Sequence, residues 1–425
     1  MKGPLDGVRI VDLTTVLMGP FATQMLGDMG ADVIKIEAPH GDVSRQIWPY
    51  RHPGMGHMFM NVNRNKRSVV LDLKHAEARK ALFALLAGAD ALIYNIRPRA
   101  MARIGLSYDE VARHNPRLLY VGAFGYSQRG PYAAKPAYED LIQGAVGLPH
   151  LFQRQGSQWP HYAPINLADR TVGLQIVNAV CAGLFCRERT GQGQRIDVPM
   201  FEAMLALVMG EHLGGAGFEP PVDGLGYNRI LTADRRPFAT RDGHICVLIY
   251  NDKQWQGFCR LIGRPELAAD PRYATAAQWQ GFCRLIGRPE LAADPRYATA
   301  ASRSQQYSEI NGLLASEFAQ RDTQDWIAAF EAADIPVQKM NDLQDILDDP
   351  HLNAIDYFQE HPHPTEGTIR TTAPPVEWSG TPGGYRRHAP RLGEHTLEVL
   401  REAGIGQGDI DALLASGAAR CAVSG

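Results

Sequence analysis

No apolar run in this 425-residue sequence is long enough to cross a bilayer; Ala203 to Met209, one of the more apolar stretches, extends for two helical turns. Nor is there an excess of either charge. Lys and Arg number 43 against 46 Asp and Glu, a net charge of −3, so no broad electrostatic field points to a nucleic acid or an anionic membrane, and an acidic ligand would need a local basic pocket. The six cysteines form no C-x-x-C pair and no dense framework, which argues against a zinc site and for free thiols in a reducing compartment. Met1-Lys2-Gly3-Pro4 leads straight into an Asp-Gly turn rather than a leader pattern, and the expectation is a cytoplasmic protein. A glycine fingerprint for dinucleotides, G-x-G-x-x-G, is missing where the first strand meets the first helix; that segment reads Thr14-Thr15-Val16-Leu17-Met18-Gly19-Pro20.

Alternating strands and helices are present instead. Val8 to Leu13 has strand character, and after a Gly19-Pro20 break, Phe21, Met25, Leu26 and Met29 share a helical face that ends at Gly30. Strands are predicted at Val33 to Ile36, Ser68 to Leu73, Ala91 to Tyr94 and Leu118 to Ala123, with a helix at Ala76 to Ala87 and a short one after Pro98. That order predicts a mainly parallel, doubly wound Rossmann-like sheet covered on both faces. A long helix is expected over Arg170 to Arg189, stopped by Thr190-Gly191-Gln192-Gly193 before a strand at Gln194 to Val198 and a helix from Met200 to about His212. The domain reading is a large domain beginning with 1–213, a linker at 214–229, a small α/β domain at 230–330, and a second linker and return at 331–425, with two terminal helices at Glu394 to Leu400 and Asp409 to Leu414. Inside the small domain, QWQGFCRLIGRPELAADPRYATAA occurs at 254–277 and again, unchanged, at 278–301. Structural repeats diverge because each copy serves a different neighbour, so an identical pair reads as a duplication with no role of its own.

Among candidate reactive groups, Asp169 is expected directly before the long helix, where backbone N–H groups and the helix dipole favour an ionised, nucleophilic carboxylate; a plain capping role is the alternative. Arg64, Lys66, Arg67 and Lys74, then Arg97, Arg99 and Arg103, are expected where loops leave the sheet, either to hold phosphates or simply as a solvated face. Gly214-Gly215-Ala216-Gly217 reads as a connector. His361 and His363, alternating with prolines, read as surface loop without metal-ligand spacing.

Several ordered motifs then carry a resemblance. GPLDGVRIVDLTTVLMGPFATQMLGDMGADVIKIEAPHGD at 3–42, NRNKRSVVLDLK at 63–74, NIRPRAMARIGL at 95–106, PAYEDLIQGAVG at 136–147, TGQGQRIDVPMFEAM at 190–204 and RLGEHTLEVL at 391–400 resemble the class III CoA-transferase family, the formyl-CoA and carnitine-CoA transferase-like or CaiB/BaiF type. The resemblance implies a Rossmann-like large domain and a small domain joined by two linkers, two subunits interlocked as a homodimer, and no tightly bound cofactor beyond coenzyme A thioesters as substrates. It puts the family's catalytic aspartate at Asp169 and a nearby carboxylate at Glu139. Its coenzyme A contacts fall on Val16, Leu71, Lys74, Asn95, Arg103 and Tyr138. The implied chemistry passes through a mixed anhydride and an aspartyl-CoA thioester. Leu17 stands where formyl-CoA-type members carry Gln, which argues against oxalate or formate. Ala137-Tyr138-Glu139 replaces the Gly-His-Asp of the related α-methylacyl-CoA racemases, so that epimerase activity becomes the alternative, followed by a non-catalytic CoA-binding protein. Tyr227, Asn228, Arg229, Arg235 and Arg236 are expected to engage a second carboxylate of the acceptor, which favours a dicarboxylate exchanged with succinyl-CoA; the alternative is that these arginines only tie the linker to its neighbours.

Overall fold

The computed structural model describes residues 3–249, 252–269, 312 and 314–422. The chain divides into two compact units. One comprises Met1–Pro149, Tyr162–Gly210 and Pro350–Gly425, the other His150–His161 and Glu211–Asp349.

Six parallel strands form the frame of the first unit: β1 (Arg9–Leu13), β2 (Asp32–Glu37), β3 (Lys66–Leu71), β4 (Ala91–Tyr94), β5 (Leu119–Phe124) and β6 (Arg195–Pro199). Their spatial order is β3-β2-β1-β4-β5-β6, and a last strand, β12 (Ala419–Arg420), closes the β3 edge in antiparallel sense. The crossover helices include α1 (Met18–Asp28), α2 (Ala76–Ala87), α3 (Pro98–Arg103), α4 (Tyr108–His114), α5 (Glu139–Ala145) and α6 (Leu167–Thr190), and α7 (Met200–His212) follows β6. This is the expected doubly wound α/β fold. Strand residues alternate between faces. Val11, Leu13, Ile34, Ile36, Val69, Leu71, Leu92 and Tyr94 join one core with the apolar stripe of α2 (Ala78, Ala81, Leu82, Leu85, Leu86). Val399, Leu400, Ile410 and Leu413 return to that core from the distant end of the chain. α1 and α6 pack against each other, and α6 lies on β5 and β6. Gly191, in the left-handed region at φ 74°, ends α6, because a side chain there would strain the backbone that turns into β6.

Proline at position 20 does not delay α1 as expected. The helix starts at Met18, and Pro20 is accommodated in the first turn, where the N–H it lacks has no intrahelical partner anyway.

The second unit holds a three-stranded antiparallel sheet of β7 (Phe238–Ala239), β8 (His244–Val247) and β9 (Val337–Lys339), with α8 (Asp252–Leu261) and α9 (Thr323–Ala332). Its core combines Ile245, Trp255, Phe258, Cys259, Leu267, Phe318, Trp326 and Phe330. Trp255, Phe258, Cys259 and Leu267 come from the first copy of the duplicated sequence; the second copy lies outside the described residues. Segment 214–229 lies within this unit and contains one 3-10 turn, Gly214–Gly217.

His361 and His363 are not in a surface loop. They sit on β10 (Phe358–His363), which pairs antiparallel with β11 (Gly367–Thr372) in a hairpin. His363 is buried with Nε2 at 3.0 Å from the Ala389 carbonyl, and His361 stacks on Tyr385 at a 3.6 Å ring separation. Further on come the terminal helices α10 (Thr396–Glu402) and α11 (Gln407–Ala415). Among the described residues, no helix is long and apolar enough to cross a membrane.

Candidate active site

Strand order reverses between β1 and β4, and loops leaving the carboxyl ends of diverging neighbours open a crevice there. The loop after β1 and the segment after β4 line it. Thr15, Val16, Leu17, Asn95 and Arg97 meet Phe124 from β5, Lys135, Tyr138 and Glu139 around α5, and Asp169 of α6, in an open cleft of about 300 Å³.

The first loop is held from beneath by a buried charge network. Asp12, fully buried on β1, accepts hydrogen bonds from the Thr14 N–H (2.8 Å), the Thr14 hydroxyl (2.5 Å), the Thr23 hydroxyl (2.7 Å) and Lys66 Nζ (3.1 Å). Burial pushes this carboxyl up, but Lys66, Lys35 and the hydroxyls outweigh it and bring it down to about 2. Lys35 donates to the Thr14 carbonyl and to Asp42, and Asp42 in turn accepts from the Val16 N–H. Burial pulls the Lys35 ammonium down, yet Asp42, Asp12 and Glu37 raise it above its ordinary value. Val16 is thereby kept at φ 71°, a left-handed conformation costly for a β-branched residue. Asn95 clamps the loop from the side: its Oδ1 accepts from the Thr15 N–H at 3.1 Å and its Nδ2 donates to the Thr15 carbonyl at 2.8 Å.

Across the cleft, α6 begins at Leu167, so Asp169 is its third residue rather than the residue before it. It does not cap the helix. The Asn166 side chain makes no capping bond either. The cap comes from another element: Glu139, first residue of α5, accepts from the Ala168 N–H at 2.9 Å through Oε1 and from the Asp169 N–H at 2.7 Å through Oε2. Two N–H groups with no partner inside the helix are satisfied by a carboxylate thirty residues away in sequence. The expectation of a carboxylate favoured in its ionised form is also overturned. Burial, then the Glu139 charge, push the Asp169 carboxyl up to about 7, with Arg170 pulling the other way. Arg170 itself lies over the Phe21 ring at 4.4 Å.

Of the residues singled out from sequence, the fold gathers Val16, Asn95, Tyr138, Glu139 and Asp169 around this one cleft. Leu71, Lys74 and Arg103 are not among its lining residues; Lys74 and Arg103 are exposed, whereas the Leu71 side chain lies in the core. Tyr227 and Arg229 belong to the second unit. The basic group at 64–67 is corrected outright. Arg64 pairs with Asp28 at 2.8 Å, Lys66 with Asp12, and Arg67 with Asp32, Glu398 and Glu402, all three cations buried. These pairs fasten the sheet edge and its neighbours and leave no cation of the three for a phosphate. Lys135 and Gln143 escaped the sequence reading. Lys135-Pro136, immediately before Ala137-Tyr138-Glu139, was the available signal for the first; only the three-dimensional neighbourhood reveals the second.

A family model described as CoA-transferase family III matches residues 5–278 and 273–396. The chain is 33% identical over 415 residues to an acyl-CoA transferase of Fusarium pseudograminearum, covering 95% of this chain and 86% of the relative. It is 31% identical over 419 residues to the succinyl-CoA:glutarate CoA-transferase of Mus musculus, covering 97% and 90%. A crystal structure of a CAIB/BAIF family protein from Brucella suis superposes with a TM-score of 0.74 at 28% identity, covering 95% of this chain and all of that one.

Proposed function

The chain belongs to CoA-transferase family III, and from that premise we propose that it moves coenzyme A from succinyl-CoA to a second carboxylic acid of the dicarboxylate class, with Asp169 as nucleophile. The observation that carries the reading is the carboxyl of Asp169 on the cleft at the strand-order reversal, raised to about 7 by burial and by Glu139. A carboxylate of raised basicity, partly freed of water, is a stronger nucleophile toward a thioester than an ordinary solvated one. The mouse relative, named for succinyl-CoA and glutarate, supports the choice of acid class.

In this reading an Asp169 oxygen bonds to the donor's thioester carbonyl carbon and the C–S bond breaks, giving a mixed anhydride and the thiolate of coenzyme A. The thiolate then attacks the aspartyl carbonyl and expels the donor carboxylate, leaving an aspartyl-CoA thioester. An acceptor carboxylate attacks that thioester and the two steps run in reverse, so Asp169 is regenerated with no net proton consumed. Val16, Asn95 and Tyr138 are assigned to the arm of coenzyme A nearest the thioester. Lys74 and Arg103, both exposed cations, suit its phosphates. Leu71, with its side chain in the core, contributes at most its backbone. Tyr227 and Arg229 are the proposed selectors of an acceptor's second carboxylate.

Incubating the folded protein with succinyl-CoA, trapping with borohydride and mapping peptides by mass spectrometry tests the proposal. Reduction of an aspartyl thioester converts the Asp169 side chain to an alcohol. That change at Asp169, absent in Asp169→Ala, is the expected result; an unmodified Asp169 in protein that binds coenzyme A and has been offered a panel of acyl-CoA donors would overturn the mechanism. In the same assay Arg229→Ala is expected to lose dicarboxylate acceptors selectively, and equal loss of monocarboxylates would remove Arg229 from its role.

A further inference from the structure

Gln143 sits one helical turn beyond Glu139 on the same face of α5, almost completely buried at 1% exposure. Its amide is used at both ends. Nε2 donates to Glu139 Oε1 at 2.6 Å, and Oε1 accepts from the Ala163 N–H at 2.9 Å, on the segment that leads into α6. A weaker contact runs from Nε2 to the Ile165 carbonyl at 3.5 Å. With the Ala168 and Asp169 N–H groups, the Glu139 carboxylate therefore receives three hydrogen bonds converging from two elements. Freed of any one of them, a carboxylate at the first position of a short helix has several rotamers leading to water.

We propose that Gln143 is a positioning residue which fixes the Glu139 carboxylate against the start of α6 and so sets the proton affinity and orientation of Asp169. The inference rests on the reading of Asp169 as nucleophile, but its physical content does not depend on that chemistry. Burying a glutamine costs free energy unless both ends of its amide are paired, and here both are, one to the charged neighbour of Asp169 and the other to the strand of chain that delivers it. Among the described residues, the charged and titratable groups that share the cleft with Asp169 are Glu139, Tyr138 just before α5, Arg97 and Lys135, with Arg170 next to Asp169 on its own helix. Glu139 is the only one of these whose position Gln143 controls.

Removing the Nε2 donor lets the Glu139 carboxylate swing out to solvent, which relieves its repulsion of Asp169. Gln143→Met keeps the shape and loses both hydrogen bonds, so the Asp169 midpoint is expected to fall by ~1 pH unit. Gln143→Glu keeps the shape and the acceptor for the Ala163 N–H and leaves a second carboxyl beside Glu139, so its Asp169 midpoint is not expected to fall. The probe is the carboxyl signal of Asp169 in protein labelled with ¹³C-aspartate, assigned by its loss in Asp169→Asn, with the pH profile of adduct formation recorded alongside. An unmoved midpoint in Gln143→Met overturns the proposal. Equal shifts in both variants also overturn it, since packing alone would then account for them. Shifted titration without any adduct at Asp169 would retire the nucleophile and keep the positioning role; an adduct with unshifted titration would do the reverse.

Discussion

Asp169 illustrates what a single residue shows in sequence and what it hides. Its place near the start of a long helix was readable from the periodicity of Val172, Ile176, Val177 and Val180. The charge state was not, because the neighbour that controls it, Glu139, arrives from another helix, and the sign of the effect is opposite to that of a helix dipole. The same blindness affected Arg64, Lys66 and Arg67, whose acidic partners lie between 35 and 335 residues away. A folded carboxyl at about 7, against an ordinary 3.8, has a thermodynamic cost. Below the ordinary value both folded and unfolded chains are protonated and nothing is lost; as pH rises from there to about 7 the unfolded chain ionises and the folded one resists, so stability drains away and levels off above. Asp169→Asn is therefore expected to abolish turnover yet resist denaturant better than wild type, by on the order of 4 kcal/mol at pH 8 and by less than half of that at pH 5. Denaturation midpoints of the two proteins at both pH values check it, and an advantage that grows toward acid would contradict the assignment.

Some elements were legible to the residue. α2 at Ala76–Ala87, β4 at Ala91–Tyr94 and α7 at Met200–His212 have the limits predicted for them. The hairpin of β10 and β11 was hidden because His-Pro-His-Pro mimics a turn; in a two-stranded ribbon a proline needs no second strand on its far side, so Pro362 is tolerated opposite Thr368. How closely α1 and α6 approach was also invisible in sequence. A Cβ on Gly173 would lie 2.7 Å from Phe21 Cδ1 and 3.0 Å from the Met18 carbonyl, so the helices meet where α6 has no side chain. Asp169 lies one turn before Gly173, and Met18 lines the cleft. Gly173→Ala should thus push apart the two elements that carry opposite walls of the site. A stability loss of about 1–3 kcal/mol is expected, with adduct formation slowed at least ~10-fold in protein that remains folded. Stopped-flow acylation alongside chemical denaturation separates the two effects, and wild-type acylation kinetics would show that the site is indifferent to the helix spacing.

At the scale of the whole chain, the parallel sheet, its wrapping helices and a return of the last segment to the large domain were all read from the sequence, whereas the limits of the second unit, which takes in 150–161, 214–229 and 331–349, were not. The first unit is assembled from three separated stretches, because α10, α11 and β12 return to the edge at β3. The duplicated 24-residue segment is where sequence and structure meet most directly. Its first copy supplies Trp255, Phe258, Cys259 and Leu267 to the core of the second unit, and the family match breaks into two stretches that overlap at 273–278, within the duplication. Removing either copy yields the same shortened chain, which keeps each of those core residues. Deletion of 278–301 is therefore expected to leave steady-state kcat within ~2-fold of the full chain, since a change in chain length between fixed points costs closure entropy only slowly. Loss of folding on deletion, seen as a collapsed near-ultraviolet circular dichroism signal, would mean the second copy has become indispensable.

The strand that seals the β3 edge has a consequence for how the molecule is made. The Val70 amide finds its partner in Thr396, 326 residues downstream, and Leu71 pairs with Ala419. While a ribosome works through the intervening codons, which at typical elongation rates takes on the order of half a minute, β3 presents a bare row of amides and carbonyls to everything around it. Nascent chains crowded on one message would be exposed to edge-to-edge capture through that interval. A holdase, or sparse translation, is therefore expected to raise the yield of folded protein until its own last strand covers Val70 and Leu71.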